Sequence, residues 1–349
     1  MELRRFNPRA ALSAEWAAFH AFRRCRSAED NPGDPIPDDA EAEHDARKRW
    51  PHWGNRRTLA WDAGQVVGSV GMSFRRRHTP DYAEYAPFTS IWGGVLASHR
   101  RRGVATALLR PALAFMQAHG KGVATLSASQ PPGHAFLAAI GAEQRQRSVE
   151  NRLLFAGLDW AALAGWEAAL PAGAGLRWEV HAGRVPMGRL AALVPSFTVL
   201  TQDEPQDGLD APPNRFSLEG YAAWYEEADR TGSEHFLVLL LHGNEVAGMC
   251  EAGWDPRVPD RAWQALTAVA RPWRGQGLAK ALKARMLRLV AERHPGVALM
   301  ATGNADSNAP MLSINARLGF VRHRESGTYQ VGPEGLAAWL LSRTPRCGA

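Results

Sequence analysis

Apolar and polar positions along the chain switch between a two-residue and a helical period, and they do so twice in the same order. Thr58-Leu59-Ala60-Trp61 turns at Asp62-Ala63-Gly64 into Val66-Val67-Gly68-Ser69-Val70; further on, the apolar run 236–241 turns at His242-Gly243-Asn244 into Val246-Ala247-Gly248-Met249. Asp, Asn and Gly between β-rich runs tolerate the positive φ of a tight turn, so both stretches predict hairpins. An acidic loop (29–35 and 203–208) and a polar helix precede each one. Those helices are predicted over 38–50 and 217–229, the second with Ser217 as its N-cap. A further strand, ending at Val95 or Val269, follows each hairpin. Then come a basic, Gly-containing turn and an amphipathic helix, over 104–119 or 278–294. Pro111 predicts a kink in the first of these. Short strands over 123–126 and 297–301, and helices ending at Ile140-Gly141-Ala142 and Leu318-Gly319-Phe320, complete the series.

The repetition gives the 349 residues a domain plan. The expectation is one domain over 1–158, a linker over 159–175 with a short helix at 159–170, and a second domain over 176–349. A hydrophobic fraction of 45% supplies two cores and excludes a disordered chain, and the 33 Gly show no period of three. Cys25, Cys250 and Cys347 are odd in number and far apart, which excludes a disulfide scaffold and a CxxC zinc site. No metal is expected, and the pattern suits a reducing cytoplasm. The N-terminal residues lack an apolar signal core, and the run 236–241 is far short of the roughly 18 residues that span a bilayer. The expectation is a cytoplasmic protein with no membrane partner.

The net charge of +6 points to an acidic partner. Of the 41 basic residues only Lys48, Lys121, Lys280 and Lys283 are lysines, and the arginines are scattered among Asp and Glu rather than gathered on one stripe. Nucleic acid is therefore not the expected partner. A small anion is.

The two basic turns show where it would bind. One reads Val95-Leu96-Ala97-Ser98-His99-Arg100-Arg101-Arg102-Gly103-Val104-Ala105, the other Val269-Ala270-Arg271-Pro272-Trp273-Arg274-Gly275-Gln276-Gly277-Leu278-Ala279. Both hold Arg-x-x-Gly-x-Ala, with the Arg five residues after the strand-ending Val. The small residue admits a bulky anion, and the following helix points free N–H groups and its positive end at the turn. Together these make a pyrophosphate cradle, to which Arg adds charge-assisted bonds. Neither the triphosphate-loop spacing nor the three-glycine dinucleotide fingerprint is present.

With these turns, Thr267-Ala268-Val269, and Thr302-Gly303-Asn304…Asn308-Ala309-Pro310-Met311…Asn315…Leu318-Gly319-Phe320, the chain resembles the GNAT superfamily of N-acetyltransferases in its tandem two-domain form, as in mycothiol synthase-like proteins. The resemblance implies an α/β (α+β) fold: two domains, each a mostly antiparallel mixed sheet flanked by helices and splayed between its fourth and fifth strands. It implies acetyl-CoA as co-substrate, with Val269, Arg274, Gly275, Gln276, Gly277, Ala279, Lys280 and Asn308 binding it in the second half. The counterparts in the first half are Val95, Arg100, Arg101, Arg102, Gly103 and Ala105. The implied activity is acyl-CoA-dependent N-acyl transfer, most simply of acetyl to the primary amine of a small molecule, by a monomer or homodimer.

Proton handling departs from the family pattern. The positions of the usual fourth-strand Glu hold Trp263 and Thr89, and that of the usual Tyr acid holds Asn315 or Leu137. Glu251 is the expected substitute base, with Asp255, Glu204 and Asp207 as others. Gln264 and Thr267 are candidates to orient a water, and Asn315 to bond the thioester sulfur. In the first half Gln130 replaces Asn308 and Pro131-Pro132 follows it, so the second domain is the expected active one. His99 reads as an exposed turn residue. Trp53, Trp61, Trp92, Trp254 and Trp263 are candidates for an acceptor pocket, with core packing the simpler role. The missing acid and base keep open a catalytically inactive acyl-CoA-binding sensor, and an acidic cleft lined by Glu204 and Asp207, which would suit a cationic acceptor of either kind, keeps open a protein or peptide N-acetyltransferase.

Overall fold

The computed structural model describes residues 1–212 and 214–343, so Cys347 lies outside the described residues. In chain order the first elements are β1 (Glu2–Phe6), α1 (Ser13–Asp30), α2 (Asp39–Arg47), β2 (Trp53–Asp62), β3 (Gln65–Arg75), α3 (Tyr82–Tyr85), β4 (Phe88–Val95), α4 (Val104–Ala118), β5 (Val123–Ala128), α5 (Pro131–Ala139) and β6 (Glu143–Leu154). There follow α6 (Trp160–Ala168), β7 (Leu176–Gly183), α7 (Met187–Thr201), α8 (Leu218–Thr231), β8 (Glu234–His242), β9 (Glu245–Trp254), β10 (Arg261–Val269), α9 (Leu278–Arg293), β11 (Leu299–Ala305), α10 (Ala309–Leu318), β12 (Val321–Val331) and α11 (Pro333–Ser342). The predicted hairpins and the helices after both turns are present. Ser217 caps α8 by accepting from the Gly220 N–H at 3.0 Å. Pro111 lies inside α4.

The chain forms two compact units whose boundaries differ from a split at 158 and 176. The N-terminal unit is Met1–Arg147 with residues 208–212 and 326–343; the C-terminal unit is Ser148–Asp207 with 214–325. The sheet of the first runs β1-β2-β3-β4-β5-β12, and that of the second β7-β8-β9-β10-β11-β6. Each half of the chain thus gives its last strand to the other half's sheet. Gly327–Val331 pair antiparallel with Ala124–Ala128. Ser148–Leu154 pair in the same way with Leu299–Ala305. The expected linker is likewise part of the C-terminal unit. Leu163 of α6 is buried, and Glu167 ion-pairs with Arg285 and Arg288 of α9 at 3.3 and 2.9 Å.

Each sheet is covered on both faces. In the N-terminal unit α4 buries Leu108, Ala112 and Phe115 against Val70, Met72 and Ile91, and Tyr329, Val331 and Leu336 close that core from the far end of the chain. The other face carries Trp16, Phe19 and Phe22 of α1. In the C-terminal unit α9 packs Leu278, Leu282 and Met286 against Val238, Leu240 and Cys250. Leu190, Phe197, Tyr221 and Tyr225 of α7 and α8 meet Leu237, Leu239 and Met249 on the opposite face. The run 236–241 has no polar alternation because both of its faces are buried.

Candidate active site

The C-terminal sheet opens at one point. β10 and β11 pair in parallel from Arg261–Leu299 to Gln264–Thr302 and then part. On its other edge β10 gains one residue against β9, since Gln264 faces Ala252 but Thr267 faces Cys250. Such a bulge bends a strand and re-aims its backbone groups, and it leaves the segment up to Val269 beside a gap. β4 and β5 part similarly after Ser90–Thr125, but β4 runs along β3 without a slip.

At the end of β10 the basic turn is held by its own charges. Arg274 Nε donates to Val269 O at 3.0 Å, and Arg274 and Arg271 both reach the Asp203 carboxylate at 2.5 Å. Arg271, and after it Arg274, keep the Asp203 carboxyl below its ordinary range. Gly275 and Gly277 have φ of 77° and 82°, a region costly for any residue with a Cβ. Gly277 begins α9 without a side-chain cap, so the first N–H groups of the helix are left for an anion. Gln276 Nε2 donates to Pro272 O at 3.3 Å, Ala279 is half-buried, and the Lys280 ammonium lies 5.2 Å over the Trp166 ring.

The N-terminal turn repeats this backbone but not its openness. Arg100 Nε donates to Val95 O at 3.2 Å and its Nη2 to Glu29 at 3.0 Å. Gly103 (φ 76°) matches Gly277, yet Arg101 (φ 61°) stands where the other turn has Gly275. Arg101 and Arg102 are exposed and Ala105 is half-buried. The last turn of α1 bridges both lips of the gap: Arg26 Nη1 donates to Val95 O at 3.2 Å, and Gln130 Nε2 to Asp30 O at 2.9 Å. A Cβ placed on Gly94 would lie 2.5 Å from the Arg26 guanidinium, so that side chain fills the space beside β4.

The three expected catalytic residues do not meet. Glu251 is buried on the α8 face of β9, where its carboxylate accepts from Tyr221 OH at 2.7 Å and pairs with His235 Nε2 at 3.1 Å. The chain continues, since Tyr225 OH lies 2.9 Å from His235 Nδ1 and itself accepts from the Val185 N–H at 2.9 Å. Burial, then the Glu251 charge, raise the Tyr221 phenol above its ordinary range and keep it a donor. Gln264 points to the opposite face, where it accepts from the Lys283 ammonium and donates to Cys250 Sγ at 3.2 Å. Asn315 is buried on α10, and its amide donates to Asn304 Oδ1 at 2.8 Å. Asn308 caps α10, accepting from the Met311 N–H at 3.3 Å.

Of the other acids, Asp255 is held by Arg257, Asp207 accepts from Ser307 Oγ at 2.5 Å, and Glu204 is exposed. Among the tryptophans Trp61 is core, Trp254 stacks on His294 at 3.7 Å, and Trp53 packs on Tyr85. Trp263 is 48% exposed on β10 and Trp92 38% exposed on β4. His99 bonds its neighbour Ser98 at 2.8 Å.

Residues 201–320 match the acetyltransferase (GNAT) family, and residues 9–137 match an acetyltransferase (GNAT) domain. The chain belongs to the GNAT family, as a tandem N-acetyltransferase. Its fold is similar to that of a tandem GNAT protein from the clavulanic acid biosynthesis pathway, with 23% identity, a TM-score of 0.71, and coverage of 95% of this chain and 99% of that one. A GCN5-related N-acetyltransferase from Sphaerobacter thermophilus is 15% identical, with a TM-score of 0.65 and 95% of each chain covered. A glucosamine N-acetyltransferase region of a fungal multi-domain β-N-acetylglucosaminidase is 14% identical at a TM-score of 0.64, covering 95% of this chain and 38% of that one. No curated protein matches the chain.

Within this tandem acetyltransferase, sequence reasoning missed Tyr221, Tyr225, His235, Lys283 and Arg26. Tyr221 and Tyr225 lie four apart on α8, a spacing that puts them on one face. For Arg26 and Lys283 no local signal exists, because their partners come from distant strands. Among the described residues no helix is long and apolar enough to cross a membrane.

Proposed function

We propose that the chain transfers acetyl from acetyl-CoA to the primary amine of a small molecule, and that the C-terminal unit performs the reaction. The observation that carries this reading is the contrast between the two gaps. Both helix starts lack a side-chain cap, but only the C-terminal one follows a bulged strand and two left-handed glycines. The N-terminal one is bridged from lip to lip by α1. In the C-terminal unit the N–H groups at the start of α9, with Arg274 and Lys280, hold the CoA pyrophosphate. The β10 backbone up to Val269 lines the pantetheine arm, and the Asn308 amide nitrogen is left to donate to it.

Glu251 takes the ammonium proton, which frees the amine lone pair to attack the thioester carbon. The C–N bond forms, the C–S bond breaks, and CoA leaves as thiolate. A placed base contributes roughly 10²–10⁴ in rate, and holding both reactants in the gap lowers the entropic part of the barrier. His235 and Tyr221 fix the orientation of the Glu251 carboxylate. Small-molecule acceptors are in keeping with the glucosamine activity and the biosynthetic pathway in the names of two structural neighbours. The exposed free thiol of Cys25 is in keeping with the cytoplasm.

The test is Gly277→Glu against Gly103→Glu, each blocking its own cradle with bulk and charge. Calorimetry with acetyl-CoA and thiol release over an amine panel provide the readouts. Only Gly277→Glu should abolish turnover; loss from Gly103→Glu alone would reverse the assignment. Binding without turnover on any amine would favour a sensor, and absence of binding would sink both.

A further inference from the structure

Beneath the gap of the C-terminal unit lies a lysine that this mechanism does not use. Lys283 of α9 is 1% exposed, and its ammonium donates to Gln264 Oε1. Gln264 Nε2 donates to Cys250 Sγ at 3.2 Å, and that sulfur lies 3.2 Å from Thr267 Oγ1. The Phe320 ring stands 5.3 Å from the ammonium. The groups around it include the Cys250 thiol on β9, the Gln264 amide on β10 and an aromatic ring beyond α10, while the Glu167 carboxylate of α6, which also packs on α9, is paired with Arg285 and Arg288. Among the described residues no carboxylate pairs with it. Glu251, next to Cys250 in sequence, points to the other face and is held by Tyr221 and His235.

A buried ammonium without an anion is strongly disfavoured. Burial pushes Lys283 down to about 8, against a smaller opposing effect of Cys250. The position is informative. Gln264 belongs to the last pair before β10 and β11 part, and Gln264 and Thr267 flank the bulge. The charge thus lies below the inner end of the gap, with the anion cradle at the outer end.

We propose that Lys283 is a positioning residue for the leaving group: its charge, held by Gln264 under the inner end of the gap, stabilises the CoA thiolate as the thioester C–S bond breaks. The proposal rests on the transferase reading above. The electron pair of the C–S bond goes to sulfur, and the proton lost by the attacking amine goes to Glu251. Lys283 keeps its own proton, and the thiolate is protonated by water after release. A cation already in place needs no reorganisation as charge develops. The resting ammonium lacks an anion, so the interaction is gained in the transition state and raises kcat rather than substrate affinity. This supplies what Asn315, bonded to Asn304 and without a titratable proton, cannot.

The test compares Lys283→Met with wild type on two donors, acetyl-CoA and S-(4-nitrophenyl) thioacetate, whose thiol is acidic enough to leave unaided. With acetyl-CoA, kcat should fall about 100-fold and KM change less than about threefold. On the activated donor the loss should be less than about threefold. Wild-type kcat should decline above about pH 8, and that limb should vanish in Lys283→Met. Gln264→Met, which keeps the ammonium but removes its acceptor, should move the limb to lower pH. Equal losses on both donors, an unchanged kcat, or an alkaline limb that neither variant moves would overturn the proposal. Wild-type turnover of acetyl-CoA in the same assay reports separately on the transferase reading, and its absence would overturn both.

Discussion

Lys283→Met should make the protein more stable, because the wild type folds around a charge it does not neutralise. Burial lowers the Lys283 ammonium from its ordinary 10.5 to about 8, which corresponds to about 3 kcal/mol of destabilisation at neutral pH. Full burial leaves no solvent screening to discount. Met has a similar length and adapts its shape to an apolar site. The substitution leaves Gln264 Oε1 without its donor, a cost of about 1 kcal/mol. The net gain is then about 2 kcal/mol, or roughly 4–8 °C in the melting of a unit of this size. The pH dependence follows from proton counting. Between about pH 8 and 10.5 the unfolded chain holds the Lys283 proton and the folded chain does not, so wild-type stability rises with pH across that window. Below about 8 the penalty is complete, and above 10.5 it is gone. The difference between variant and wild type should be full at pH 7 and close by pH 10.5. Denaturant titrations followed by circular dichroism at pH 7, 9 and 10.5 measure it. A variant no more stable than wild type at pH 7, or a difference that ignores pH, would refute the reasoning.

Three further outcomes follow from the two turns and the Glu251 cluster. Gly275→Ala should cost about 1 kcal/mol, and Arg101→Gly, at the matching left-handed position, should gain about as much; equal and opposite shifts in denaturation midpoint are the check. Arg26→Ala removes one of the two donors on Val95 O, Arg100 being the other, and empties the space beside Gly94, so calorimetry should show acetyl-CoA stoichiometry rising from one toward two. A value fixed at one would remove α1 as the barrier. Glu251→Gln should lower kcat/KM by roughly 10²–10⁴, and a loss below tenfold would exclude Glu251 as the base.

The parts legible in the sequence are those coded locally. A hairpin turn, a helix cap such as Ser217 and an Arg-x-x-Gly-x-Ala turn each declare themselves within a dozen residues, and their recurrence exposed the duplication. Contacts between distant segments were not legible. Arg26 reaches Val95 across 69 positions, and Gln130 reaches Asp30 across 100. Lys283 follows Leu282 in an amphipathic helix and reads as a solvated lysine; only Gln264 and Phe320, from other elements, make it a buried one. β6 escaped notice because Glu143-Gln144-Arg145-Gln146-Arg147 has no apolar face, its buried residues beginning at Val149. Nothing in a strand's own sequence names the strand it pairs with. The segment 159–170 shows the same limit: α6 is short, and its Glu167 is held by the Arg285 and Arg288 charges of α9, more than 100 residues later.

The exchange of last strands predicts that neither half of the gene product folds alone. A fragment of residues 1–158 lacks β12 and α11, and with them Tyr329, Val331, Leu336 and Leu340 of its core. At roughly 1.5–3 kcal/mol per large buried side chain, the loss is of the order of 6–12 kcal/mol, comparable with the entire stability of a typical domain at about 5–15 kcal/mol. It would also bare the β5 edge that Gly327–Val331 cover, an invitation to aggregate. A fragment of residues 176–349 lacks β6 and α6, so Val149, Leu153 and Leu163 are lost and the edge of β11 is left unpaired. β11 is one wall of the gap proposed above as the reactive one, so on that reading the first half of the chain braces the site of the second. Expressed separately, both fragments should be insoluble or lack a cooperative thermal transition. A 176–349 fragment that melts cooperatively and binds acetyl-CoA would show instead that β6 is dispensable to the wall it pairs with.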